Sequence, residues 1–336
     1  MSDSFRPIRP ILRHPFVEEV LPVVEEGLPL IGGPHGHHPA HPKPPAKPCA
    51  GAGLHSEARV RAYVHGFKHL QHQWPKLTPE QRRLGIQNLV NKQLRATGSP
   101  PLTFRGYKPP DAGTGGEFDF PHWTMKISDH YTGAEGPQAH HLADWDAKVL
   151  ATMVYHESRH SEQWYMAARK RAADLQAAGG LTPDQQAHQI AQEMTIPLPI
   201  AQQAQKHPMP AHAPHAPCAQ QLYDSISGAH AQARNDTLNQ FHRENVELSD
   251  AKARTAAALA KSDAAQRVAF LNPARANPAL LRHDMALLQQ AQAHEQNVQH
   301  RSDLAKAAYQ ALPEEADAYA TGHQVERDWD GQLLQW

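Results

Sequence analysis

Proline decides where this chain can be helical. Two stretches, GGPHGHHPAHPKPPAKPCAGAG (32–53) and KHPMPAHAPHAPCAQQ (206–221), carry prolines too closely spaced for a helix. Each proline removes an amide donor, and its ring clashes with the preceding turn. The first stretch reads as a linker that follows a leader, residues 1–31, whose one apolar patch is FVEEVLPVVEEGLPLI. The second reads as a break inside the body.

Outside these stretches helical spacing dominates. Val60, Val64, Phe67 and Leu70 mark a first helix within 55–74. A second has a full start signal, with Thr78 as N-cap, Pro79 at the first helical position and Gln81 closing a capping box; Gly98 is its natural stop. LTPDQ at 181–185 repeats the device of LTPEQ at 77–81. Residues 102–128 differ. Their aromatic and β-branched residues approximate a two-residue alternation, which predicts one or two short strands with Gly115 and Gly116 as the turn. A central helix runs from Leu142 to the glycine pair at 179–180. Ala/Gln-rich helices continue to about 311, broken near LNPARANPALL, and a last helix starts at Pro313. The expected fold class is mainly α, with a short β element just before the central helix.

Composition removes several function classes. Net charge is −1 and the isoelectric point about 7.1, without the basic excess of a general nucleic-acid binder. No apolar run approaches the roughly 20 residues of a membrane span. The first residues hold no secretory signal, so the chain is expected to be made in the cytoplasm, and export would need a signal-independent machine. Two cysteines, Cys49 and Cys218, do not make a disulfide framework; free thiols are the favoured reading, a bridge between the two proline-rich stretches the other. The outlying count is 25 histidines. His35, His37, His38 and His41 lie in the linker, where solvation accounts for them.

His156, Glu157, Ser158, Arg159 and His160 spell H-E-x-x-H. On a helix, residues four apart share a face, so both imidazoles can reach one ion. The intervening glutamate stands at the edge of that face, where it can take a proton from a zinc-bound water. A chain this rich in histidine gives about 0.1 chance matches to the pattern. Context tightens it. Val149, Met153, His156, His160 and Gln163 step by four, three, four and three, so an apolar helical face becomes ionisable at one point. His65 and His69 share the spacing but lack the glutamate, and in HEQNVQH (294–300) the second histidine comes two places late.

HESRHSEQW resembles the active-site helix of the zincin superfamily of metallopeptidases, in a version reading H-E-x-x-H-x-x-Q with Gln163 in the last place. That glutamine is either a partner of His160 or a polar residue facing a wet cleft. The metzincin branch has Gly and His where this chain has Gln163 and Met166, so the resemblance is gluzincin-like. It implies a zinc ion held by His156, His160 and a carboxylate from a later helix. In LPEEADAYATG (312–322) Glu315 is the first choice for that carboxylate, ahead of Glu314 and Asp317, with Glu193 as a nearer candidate. Ala318 is the small residue at which that helix would pack close, and Tyr319 is either a donor to the oxyanion or plain core. The resemblance further implies that the strand-like FPHWTMKIS borders the cleft and that an extended peptide pairs with its edge; Trp123 and Met125 either line the cleft or belong to the core.

On this reading residues 54–336 form a helical zincin-like metallopeptidase domain with an inserted helical region at about 206–311. Its substrate is a peptide or protein, with a peptidoglycan amide open to the same chemistry. The leader and catalytic unit also resemble toxin effectors of contact-dependent bacterial secretion, which implies a secretion-machine component and an immunity protein as partners. The other reading is a non-catalytic helical interaction protein that binds metal through its histidine-rich segments, with the helices at about 219–311 as a partner-binding bundle.

Overall fold

A computed structural model of the chain describes residues 53–108, 115–133, 141–271 and 277–331. The leader, the linker up to residue 52 with its histidines and Cys49, and the centre of the LNPARANPALL break lie outside the described residues. The chain divides into two compact units, Met1–Ser227 with Ala316–Trp336, and Gly228–Glu315.

In the first unit a short 3-10 turn, Gly53–His55, leads into α1 (Glu57–Gln73) and α2 (Pro79–Thr97). The capping box at Thr78 and Gln81 is made in both directions, and Gly98 ends α2 in the left-handed region at φ 76°. The two helices approach through reciprocal gaps. A Cβ on Gly66 would stand 2.5 Å from Leu89, and one on Gly85 would stand 2.6 Å from Leu70, so each helix seats a leucine of the other where it has no side chain.

Three strands follow: β1 (Thr103–Tyr107), β2 (Gly116–Asp119) and β3 (Thr124–Ser128). Their order is β1-β3-β2, with β1 parallel and β2 antiparallel to β3. One or two strands were expected, with Gly116 in the turn. Instead Gly116 opens a strand, and the turn is the segment 120–123, where Trp123 adopts φ 52°. β2 escapes the alternation rule because all four of its residues are buried. The side chain of Asn91 on α2 extends the ladder beyond β1, donating to the Leu102 carbonyl and accepting from its amide, both at 2.8 Å.

After the short α3 (Asp129–Thr132) comes α4 (Asp144–Ala178), 35 residues long. Its amphipathic start gives way to a segment, Leu150–Ala168, in which every residue is buried. A helix buried on all sides is the centre of its unit. α5 (Pro183–Met194), α6 (Leu198–Lys206) and α7 (Ala216–Ile226) cover it. The second capping box, Thr182 with Gln185, forms as the sequence predicts. The proline-rich break is shorter than expected: Ala216 and Pro217 already open α7, and Ala219 and Leu222 join the main core. The second unit therefore begins at Gly228 and not near residue 206. Cys218, on α7, is disulfide-bonded, which corrects the expectation of a free thiol.

The helix α10 (Pro313–Gly331) starts where its proline predicts and returns the chain to the first unit from Ala316 on. It runs antiparallel to α4. Asp317 meets Arg159 and Gln163, Gly322 lies against Thr152 and His156, and the Trp329 indole donates to Asp144.

The second unit is a helical hairpin of α8 (Ala231–Leu271) and α9 (Pro278–Gln310). The least exposed positions of α9 recur every seven residues, Leu281, Leu288, Glu295, Ser302 and Tyr309 with Asp284, Ala291, Val298 and Ala305 between them. This is a coiled-coil seam. Phe241 stacks on Tyr309 with ring centroids 4.7 Å apart, and Ser302 donates to Asn245 at 3.0 Å. Among the described residues no helix is long and apolar enough to cross a membrane.

Candidate metal centre

His156 and His160 project from one face of the buried segment of α4. Their rings are 4.9 Å apart at 82°, and their Nε2 atoms are 3.2 Å apart. Four-residue spacing stacks the two side chains one turn apart, and burial, 2% and 3% exposure, keeps them there. The Nδ1 of His160 is turned away from the pair and lies 2.9 Å from Gln163 Oε1.

The third candidate ligand stands in the first turn of α10. His156, His160 and Glu315 each offer one ligand atom, and these atoms all lie within 4.8 Å of one another. Glu315 is buried. The other carboxylates weighed from the sequence are engaged elsewhere. Glu314 pairs with Arg234, Asp317 pairs with Arg159 at 2.7 Å, and Glu193 pairs with Arg171 at 2.7 Å. Close packing brings α10 in: Ala318 is fully buried, and a Cβ on Gly322 would sit 3.4 Å from Thr152 and 3.7 Å from His156. Ala318 was expected in this role; Gly322, one turn on, was not.

Glu157 is held by the sheet. Its Oε2 accepts the Phe118 amide at 3.0 Å, while Oε1 lies 4.0 Å from His156 Nε2. The strand that borders this site is therefore β2. β3, which carries most of FPHWTMKIS, is the central strand with both edges paired, so the expectation that a peptide pairs along it does not hold. The Phe118 amide points away from β3, and no described strand pairs along that side of β2. Met125 and Trp123 are buried core. Trp123 packs edge-on against Phe118 at 5.2 Å, and Trp164 stands edge-on to His160 at 6.1 Å.

No protein-family profile, curated protein or solved structure matches the chain.

Tyr319 lies one turn from Glu315, with its ring 4.7 Å from that of His156 at 72°. It is half-buried. Beneath the site lies a polar network that the motif does not announce. The Arg159 guanidinium, fully buried, binds Asp317 and Glu162. Glu162 accepts the Leu54 amide at 2.9 Å, and Tyr155 donates to the Leu54 carbonyl at 3.0 Å. His55 Nδ1 lies 3.0 Å from the Thr321 hydroxyl. Burial pushes the Asp317 carboxyl up, but the Arg159 charge and the hydrogen bonds from Arg159 and Gln163 outweigh it and hold the group below the usual carboxylate range. Burial likewise lowers His55 below the ordinary imidazole value. Arginine at 159 and glutamate at 162 were the available signal. Charged side chains inside a buried helix demand partners.

Proposed function

We propose that the chain is a zinc-dependent hydrolase acting on an amide bond, with His156, His160 and Glu315 as metal ligands. The observation that carries this is the convergence of two imidazole nitrogens and a buried carboxylate on one point. Two nitrogens about 2.05 Å from a tetrahedral zinc stand about 3.3 Å apart, and the pair here is at 3.2 Å. Two neutral nitrogens and one carboxylate suit zinc and leave one of its four positions open. Bound there, a zinc ion supplies Lewis acidity, which acidifies a water at the open position and polarises a carbonyl.

The chain's own residues do the rest. Glu157 serves as general base and receives the proton on Oε1, the oxygen nearer the histidine pair. The Phe118 amide holds Oε2, so the carboxylate need not reorient before it acts. Tyr319, beside His156, is placed to donate to an oxyanion. The purified protein should hold about one zinc per chain, and Glu157→Gln should keep the metal while amide hydrolysis falls at least about 100-fold. Metal analysis and a hydrolysis assay on peptide and peptidoglycan substrates check both halves. Toxicity on expression in a bacterial periplasm, lost in the same variant, would place the activity in an exported antibacterial effector.

Burial of the ligand set favours one second reading. A zinc ion enclosed by His156, His160 and Glu315, all 3% exposed or less, would staple α10 to α4 without turnover. Stoichiometric zinc with no hydrolysis by the wild type selects that reading.

A further inference from the structure

We propose that Gln163, oriented by Asp317, is a positioning residue that holds His160 as the Nδ1–H tautomer and so presents its Nε2 lone pair to the metal. The proposal rests on the metal-site reading above and adds to it what sets the donor atom.

Donor and acceptor chemistry fixes each atom in turn. Asp317 is acceptor-only when ionised, and its Oδ2 already accepts from Arg159 Nε at 2.7 Å. The Gln163 atom 2.8 Å from that same oxygen must therefore be the amide nitrogen. A flipped amide would set two acceptor oxygens against each other. With Nε2 committed to Asp317, the oxygen Oε1 is the atom that faces His160 Nδ1 at 2.9 Å. An amide oxygen only accepts, so Nδ1 carries the hydrogen, and the neutral ring then bears its lone pair on Nε2. That nitrogen is the one beside His156 Nε2. Arg159, Asp317, Gln163 and His160 thus form a directed relay in which each donor leaves one choice for the next. All four are buried, with Gln163 and Arg159 fully so, so water is excluded as a substitute partner. Asp317 stands two residues after Glu315 on α10. The same hydrogen bonds therefore dock the ligand helix onto the helix that carries both histidines.

The test uses the full chain and zinc alone. Competition with a chelator gives the zinc affinity, and nitrogen-15 NMR of the imidazoles gives the tautomer of His160 with and without zinc. Gln163→Leu should weaken zinc binding about 10–100-fold and let the His160 ring leave the Nδ1–H form. Gln163→Met keeps the length of the side chain and removes both of its polar atoms. A packing role alone predicts near-wild-type affinity and an unchanged tautomer for it, whereas the relay predicts the same weakening as in Gln163→Leu, because nothing then accepts from His160 Nδ1. Unchanged affinity and tautomer in either variant would overturn the relay. Should the leucine variant not fold, the methionine variant decides alone. A wild type that binds no zinc would sink the metal reading instead, and the tautomer of the metal-free protein would still decide the relay.

Discussion

Arg159 lies fully buried with two carboxylates, Glu162 and Asp317, on its guanidinium. Desolvation makes such a cluster a weak source of net stability, but removing one partner leaves uncompensated charge in the interior. Arg159→Met should therefore cost about 3–5 kcal/mol at neutral pH, read from urea unfolding. Its pH dependence should invert. In the wild type Asp317 is held below the usual range, so its contribution is present above the ordinary carboxylate value and lost as pH falls through the lowered one. His55, lowered by burial, acts in the same direction: stability declines as the unfolded chain takes up protons below about pH 6.5. Without Arg159 burial is left to raise the Asp317 carboxyl, which then holds its proton more tightly than in the unfolded chain, so the variant should regain part of its loss on acidification. Urea midpoints at pH 7 and pH 4.5 measure this. An equal penalty at both would show that the carboxylates are not what Arg159 compensates.

The helix starts belong to the scale of the element. Thr78 and Thr182 each close a capping box with a glutamine three residues on, and both boxes form. Thr78→Ala and Thr182→Ala should each lower stability by about 1 kcal/mol, seen as a shifted urea midpoint with unchanged slope. These starts were legible because every atom involved lies within four residues. The sheet was less legible. β2 is four residues long and buried throughout, because β3 pairs with one side of it and Glu157 meets the other; its own residues carry no alternation to announce this. The same holds for α4. The steps from Val149 to Gln163 predicted one functional face, whereas Leu150–Ala168 is buried all round, a property conferred by the helices and strands packed on it.

On the scale of the molecule the chain forms two compact units. The hairpin of α8 and α9 has a seam of small residues, among them Ala251, Ser262, Ser302 and Ala305, and little of the large apolar core that surrounds α4. Thermal unfolding should show two transitions. Saturating zinc should raise the one that carries α4, by about 2.7 kcal/mol at a free zinc concentration 100 times the dissociation constant. Calorimetry with and without chelator checks this. By itself the sequence determined the mainly helical class, both capping boxes, the start of the last helix and the pairing of His156 with His160. Each of these is set by neighbours within a turn or two, where steric and hydrogen-bonding rules act on adjacent residues. Only the tertiary structure decided which carboxylate joins the histidines, which strand holds Glu157 and what orients Gln163. Those choices depend on α10 lying antiparallel on α4, a placement made by Gly322, Asp317 and Trp329 across 154 to 185 residues of chain, and no local pattern encodes a contact over that separation.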